Sequence, residues 1–140
     1  MLTLIDTGPL VAFLDRADPW HKFVRKGWNS MRGRFLTTGA VITEVMHFLR
    51  PIPEGPRQLL CFIEEGLLLV EENIFQVDSL KRATDLMAQY ADTPMDFADA
   101  TLVVLAEKLE VDCVLTLDER GFRTYRYGRH RPFTLVLQGK

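Results

Sequence analysis

The chain has 140 residues, of which 47% are hydrophobic and 26% charged, and its formal net charge is −2. A chain of this length buries roughly two-thirds of its unfolded surface in one domain, so its core needs no disulfide or structural metal. The composition is that of an ordinary soluble domain, the small net charge gives no sign of a general nucleic-acid binder, and no run approaches the 18 apolar residues of a membrane span.

Short apolar runs alternate with helical patterns from the first residue to the last. Proline, glycine or polar residues separate the runs, as is typical of strands and helices joined by short turns. The predicted strands cover about residues 2–6, 35–37, 67–70, 113–117 and 133–137. The predicted helices cover about residues 9–16, 20–32, 41–49, 56–65, 76–91 and 96–109, with Thr38 as the cap of the third.

Strands separated by helices predict βαβ units and therefore a parallel sheet covered by helices on both faces. The sequence predicts a single α/β domain over residues 1–140, since no repeat, low-complexity tract or long linker interrupts the pattern. In such open sheets, ligands collect beyond the carboxyl ends of the strands, where the strand order reverses. That edge is where we expect the functional side chains.

Five acidic residues stand where predicted strands end and helices begin. Asp6 closes the first strand, Asp118 follows the strand at 113–117, and Glu44 lies in an apolar helical stretch. Asp96 and Asp99 open a helix that is otherwise almost wholly hydrophobic. Since an unpaired buried charge is costly to desolvate, a divalent cation held by these carboxylates would both stabilise them and supply chemistry.

Each acid also has a purely structural explanation. Asp6 and Asp96 are suitable helix caps, and Asp96 with Asp99 has the spacing of a capping box. Glu44 has the alternative of a solvated helical glutamate and Asp118 that of a turn residue. Among polar neighbours, Thr7 and Thr116 are placed to hydrogen-bond the acids, whereas the histidines at 21, 47 and 130 have no metal-binding spacing.

Residues 120–131 carry five arginines and no acid, which leaves 12 basic and 19 acidic residues elsewhere in the chain. The arginines alternate with aromatic residues. Two interpretations stay open: a solvated loop, or a face in which Arg120, Arg123 and Arg126 contact RNA phosphates.

Cys61 and Cys113 lie far apart, each in an apolar context. They fit buried free thiols of a reducing compartment better than a disulfide framework or a metal motif. The chain also shows no charged-then-apolar leader, so we expect a cytoplasmic protein with no membrane association.

Four stretches together resemble the PIN-domain ribonucleases, and in particular the VapC-like toxins of type II toxin–antitoxin systems. They are Leu4-Ile5-Asp6-Thr7, Thr43-Glu44-Val45, Asp96-Phe97-Ala98-Asp99-Ala100, and Leu115-Thr116-Leu117-Asp118 followed by Phe122. Each stretch is weak alone, but their order and spacing agree with the family over nearly the whole chain.

The resemblance implies a three-layer α/β/α fold that hydrolyses RNA with Mg²⁺ or Mn²⁺. It assigns catalysis and metal binding to Asp6, Glu44, Asp99 and Asp118, and gives Asp96 an additional, less general place among the metal ligands. It gives Thr7 a supporting role through hydrogen bonds. It also suggests a homodimer and a small antitoxin protein that blocks the site.

Two other classes remain as alternatives. A PIN-like module that binds RNA or protein without cutting is expected to have lost some of the acids. A Mg²⁺-dependent phosphatase or receiver domain also places acids at strand ends, but the phosphatases need a second aspartate two residues after the first, where this chain has Gly8. A divalent-dependent ribonuclease assay separates these classes.

Overall fold

The computed structural model describes residues 1–137, so the last three residues of the predicted 1–140 domain lie outside it. Five of its strands form one sheet in which all neighbours run parallel, and the other two form an antiparallel pair. The strands are β1 (Leu2–Ile5), β2 (Arg34–Thr38), β3 (Leu68–Glu71), β4 (Cys113–Leu115), β5 (Arg126–Tyr127), β6 (Arg131–Pro132) and β7 (Thr134–Leu135).

All six predicted helices are present within a few residues of their expected bounds. The structure adds a short seventh helix and a 3₁₀ helix, Asn73–Phe75, that the sequence pattern did not predict. The α-helices are α1 (Thr7–Leu14), α2 (His21–Ser30), α3 (Gly39–Leu49), α4 (Gly55–Glu64), α5 (Val77–Gln89), α6 (Phe97–Leu109) and α7 (Glu119–Thr124).

Helices flank the sheet on both faces, which confirms the predicted three-layer α/β/α fold. Helix α6 lies deepest: every residue from Ala98 to Ala106 is buried. Its sequence is apolar on all sides because it is enclosed on all sides, and a helix of this kind belongs in the core. The predicted cap of α3 is also confirmed, because the hydroxyl of Thr38 accepts the N–H of Val41 at 3.3 Å.

The strand order of the five-stranded sheet is β3-β2-β1-β4-β7. The chain first builds the sheet outward from β1 through β2 to β3, and then returns to place β4 on the other side of β1. The strand order therefore reverses between β1 and β4. Asp6 follows β1 directly, and its N–H donates to the carbonyl of Leu115 at the end of β4 at 3.1 Å.

The arginine segment forms a helix and a strand pair rather than a loop, although most of its arginines are exposed to solvent. Residues 120–124 belong to α7, and β5 pairs with β6 through a turn in which Gly128 and His130 have positive φ. The aromatic residues between the arginines point into the core, where Phe122, Tyr125, Tyr127 and Phe133 make a chain of ring contacts with centroids 5.1–5.4 Å apart.

Both cysteines are free, as predicted, but the prediction that they are buried is wrong for Cys61, which is exposed. Helix α4 packs through Leu59, and a residue two positions later is turned about 200° around the helix axis. Cys113 is half-buried. Within residues 1–137, no helix has both the length and the apolar character needed to cross a membrane.

Candidate active site

Three of the five acids cap the N-termini of three different helices at one edge of the sheet. Asp6 accepts the N–H of Thr7 at 2.8 Å to begin α1, and Asp96 accepts the N–H of Asp99 at 2.8 Å to begin α6. Asp118 accepts the N–H of Gly121 at 3.0 Å to begin α7. The capping explanation of Asp6 and Asp96 is therefore correct, and Asp118, for which the sequence suggested a turn residue, also caps a helix. Capping does not exclude a second role, because a carboxylate keeps an oxygen after one such bond.

Threonine hydroxyls connect the acids across long stretches of sequence. Thr7 donates to Oε1 of Glu44 at 2.7 Å, and Thr116 donates to Oδ2 of Asp6 at 2.9 Å. The oxygen of Thr116 also accepts the N–H of Asp118 at 2.9 Å. The hydroxyl of Thr7 thus connects Glu44 to the edge of the sheet that Asp6 occupies. The predicted hydrogen bonds of both threonines with the acids are confirmed. We call this edge, which carries Asp6, Glu44, Asp96, Asp99 and Asp118, the acidic edge.

Asp99 and Asp6 are buried, whereas Asp96 and Asp118 are exposed on either side of them. Burial, followed by repulsion from Asp6, Asp96 and Asp118, raises the pKa of Asp99 to about 8. Burial also raises the pKa of Asp6 to about 6, against the lowering effect of its hydrogen bonds with Thr7 and Thr116. These two side chains therefore hold protons at pH values where an exposed aspartate is ionised.

Asp99 has a partner, Tyr125, that the sequence pattern did not predict. The buried hydroxyl of Tyr125 donates to Oδ2 of Asp99 at 3.3 Å. Burial, and then the charges of Asp99 and Asp118, raise the pKa of this phenol far above its usual range, so it stays a donor. Tyr125 follows α7 and Asp99 lies in the first turn of α6, 26 positions earlier, so only the tertiary fold brings them together.

The acids are of the residue type that binds divalent cations, but their side chains are not arranged as a complete set of metal ligands. In the described part of the chain, no three histidine, cysteine or acidic side chains lie together as a ready-made metal-binding group. None of the five acids takes part in the ion pairs found there. A divalent cation would offset the mutual repulsion that acts on Asp99, and carboxylate oxygens are the ligands that Mg²⁺ and Mn²⁺ prefer. Metal binding by these side chains fits the site and stays a prediction.

The arginines predicted to contact RNA are bound largely to their own neighbourhood. Nη1 of Arg126 donates to the carbonyls of Arg123, Thr124 and Tyr125 at 2.7–3.1 Å. Arg123 forms an ion pair with Glu119 at 3.6 Å, and Arg120 is exposed. All three lie within eight residues of Asp118 in the chain. Their contact with phosphates stays a prediction.

Comparison with known proteins shows which family this chain belongs to. The model of the PIN domain family matches residues 3–127, which is most of the chain. This protein belongs to the PIN domain family. The matched stretch of the PIN domain includes all five acids, both threonines and Tyr125.

Relatives of this PIN domain include a ribonuclease and a toxin from Mycobacterium tuberculosis. Ribonuclease VapC26 is 27% identical over 133 residues, which cover 95% of this chain and 98% of VapC26. The crystal structure of VapC20, a Sarcin-Ricin loop cleaving toxin, superimposes with a TM-score of 0.71 at 19% identity, over 84% of this chain and 90% of VapC20. The similarity to VapC20 shows the fold, and membership of the PIN family leaves the phosphatase and receiver alternative without support.

Proposed function

We propose that this PIN domain is a divalent-metal-dependent endoribonuclease that hydrolyses RNA phosphodiester bonds and acts as the toxin of a toxin–antitoxin pair. The observation that carries the proposal is the pair of buried carboxylates, Asp6 and Asp99, whose pKa values are raised and which have no cationic side chain beside them within residues 1–137. Their position at the reversal of strand order is where open parallel sheets bind ligands.

In this proposal Asp6, Glu44, Asp99 and Asp118 hold Mg²⁺ or Mn²⁺, with Asp96 as an additional acid. When bound, such a cation lowers the pKa of water and neutralises charge that develops on the phosphate. Thr7 and Thr116 orient Glu44 and Asp6 through the hydrogen bonds described above. Tyr125 holds one oxygen of Asp99, which leaves the other to face the substrate.

The relatives support the choice of substrate and biological role. VapC26 is named a ribonuclease and VapC20 cleaves the Sarcin-Ricin loop. By extension, this chain takes an RNA substrate and pairs with a small antitoxin protein that blocks the acidic edge, and it forms a homodimer. Co-expression with the product of a small adjacent gene tests the antitoxin: that product should relieve growth arrest caused by this chain, and sedimentation should give the mass of two chains for the isolated protein.

A ribonuclease assay of the purified full chain tests the catalytic proposal. We expect cleavage of single-stranded or structured RNA in Mg²⁺ or Mn²⁺, none in excess EDTA, and recovery when the metal is restored. RNA binding without cleavage in either metal would instead identify a non-catalytic PIN-like module. Cleavage that continues in EDTA would refute the metal-dependent mechanism.

A further inference from the structure

An aromatic-walled pocket opens directly beside the acidic edge. Its volume is about 430 Å³, several times that of one nucleobase. One wall consists of the rings of two phenylalanines, and the rim carries two of the acids. The lining residues are Ala40, Thr43, Glu44, Phe75, Asp96, Phe97 and Ala98.

The two rings of the aromatic wall lie side by side, and much of the wall faces solvent. Phe75, at the end of the 3₁₀ helix, is 51% exposed, and its ring centroid lies 6.3 Å from that of half-buried Phe97. The ring of Phe75 rests on Gly39 at the start of α3, where a Cβ atom would come within 2.9 Å of its Cε2. The ring of Phe75 can therefore pack in this position because residue 39 has no side chain.

The rim of this aromatic pocket is part of the candidate active site. Glu44 is the residue tied to Thr7, and Asp96 raises the pKa of both Asp6 and Asp99 by repulsion. These negative charges disfavour a phosphate inside the pocket, in addition to the phosphate that is cut at the acidic edge. The oxygens of Glu44 and Asp96 that are not bound to the cation favour an uncharged, flat group whose edge carries N–H donors, since a carboxylate oxygen accepts such donors.

We propose that the Phe75–Phe97 pocket stacks one unpaired nucleobase of the RNA, adjacent to the phosphodiester bond that is cut. This inference rests on the proposed ribonuclease function and adds to it a subsite for the substrate. A strand whose phosphate lies over the carboxylates carries its next base into the neighbouring pocket, and exposed aromatic rings are the side chains on which unpaired bases stack. The subsite selects single-stranded or flipped-out nucleotides, because a base held in a duplex presents no free face to Phe75.

Four variants of the full chain, assayed on a short mixed-sequence single-stranded RNA in Mg²⁺, test the subsite. Phe75→Ala removes the ring and Phe75→Tyr retains a stacking face. Gly39→Ala displaces the ring without changing it, and alanine is the better helix former, so that variant should not lose stability. Phe48→Ala is the matched control, since Phe48 is a 54% exposed phenylalanine of α3 outside the pocket.

The loss of one stacked base corresponds to about 5- to 150-fold weaker binding. We therefore expect Phe75→Ala to raise KM by a factor in that range with little change in kcat, Gly39→Ala and Phe75→Tyr to raise KM less, and Phe48→Ala to resemble the wild type. An abasic nucleotide placed beside the mapped cleavage position should raise KM for the wild type, and should add nothing to the defect of Phe75→Ala.

Three results would overturn the subsite. One is wild-type KM in both Phe75→Ala and Gly39→Ala. Another is independent, multiplicative losses from the abasic nucleotide and Phe75→Ala. The third is a change of oligomeric mass on Phe75→Ala, which would mean that a second copy of the chain covers the ring. A wild type that cleaves no RNA would remove the ribonuclease proposal together with the subsite, whereas cleavage with unaltered Phe75→Ala kinetics would remove the subsite alone.

Discussion

The acidic edge and the arginine segment, residues 120–131, adjoin in the chain at Asp118 but are built in different ways. Besides the local caps of Asp6, Asp96 and Asp118, two of the acids have hydrogen-bond partners far away in sequence: Thr7 is 37 residues from Glu44, and Thr116 is 110 residues from Asp6. In the arginine segment, Arg126 donates to three carbonyls within three residues of it, and Arg123 pairs with Glu119 four residues away. Two of the acids are buried and resist ionisation, while most of the arginines are exposed.

The difference separates a preorganised site from an electrostatic surface. Buried carboxylates with fixed hydroxyl partners are suited to bind one group in one place. Exposed guanidinium groups on a short helix and hairpin are suited at most to attract a polyanion. Substitutions at the acidic edge should therefore change the rate of the chemical step, and substitutions in the arginine segment should change the salt dependence of binding.

The largest effect is expected at Asp99. Asp99→Asn keeps the shape but removes the negative charge with which Asp99 would bind the cation, and should lower RNA cleavage by about two to three orders of magnitude, as is typical when one charge-stabilising group is lost. Asp96→Asn should cost less than about tenfold if Asp96 acts chiefly as the cap of α6, because asparagine caps almost as well. Both rates come from one assay, and equal rates for the two variants would contradict the distinction between them.

A smaller loss is expected at Thr7. Thr7→Val removes the hydroxyl that donates to Glu44 while keeping the volume, and should reduce metal affinity or activity by about 10- to 100-fold. Thr7→Ser retains the donor and serves as the control. Titration of Mg²⁺ against both variants measures the effect. Wild-type affinity and activity in Thr7→Val would show that the hydrogen bond does not position Glu44.

Substitutions in the arginine segment should instead change the salt dependence of RNA binding. If Arg120, Arg123 and Arg126 each contact a phosphate, their replacement by glutamine should lower the salt slope of log K by about 0.7 for each contact with a single strand, or about two in all. Replacing Arg25, Arg50 and Arg57, which are exposed elsewhere, gives a control with the same change of net charge. Identical slopes for the two triple variants would place the RNA-binding surface outside the arginine segment.

The smallest effect is expected in the stability of the metal-free protein. The Asp99 carboxyl ionises near pH 3.8 when unfolded, and its pKa is about 8 when folded, so the folded state binds more protons between these values. Stability should therefore fall as the pH rises from about 4 to about 8, and Asp6 should contribute to the fall up to about 6. At about pH 8, Asp99→Asn should be more stable than the wild type by about 1 kcal/mol or more.

Denaturant unfolding in EDTA at several pH values measures this difference. The advantage of Asp99→Asn should shrink towards about pH 4, where the unfolded carboxyl also holds its proton. Mg²⁺ should reverse the order of stability, since it stabilises the wild-type carboxylate cluster preferentially. Parallel stability curves for the two proteins would mean that Asp99 titrates normally in the folded state.

The sequence by itself determined the fold class and the positions of the acids. The alternation of apolar runs with helical patterns gave the parallel sheet and all six main helices, because burial on two faces imposes that pattern on each segment. The caps Thr38 and Asp96 were also predictable, since capping is an interaction between near neighbours. The short α7, and β5 with β6, were missed because two to six residues carry too little periodicity to register.

Only the tertiary structure decided which side chains meet. Three contacts join residues far apart in the chain. They are the hydrogen bond from Tyr125 to Asp99, the hydrogen bond from Thr7 to Glu44, and the close approach of the Phe75 ring to Gly39. Burial was decided there too: Asp99 is enclosed while Asp118 is exposed, and Cys61 faces outward from α4. A local pattern specifies which face of an element is apolar, but contacts and desolvation depend on what the other elements bring to that face once the sheet has formed.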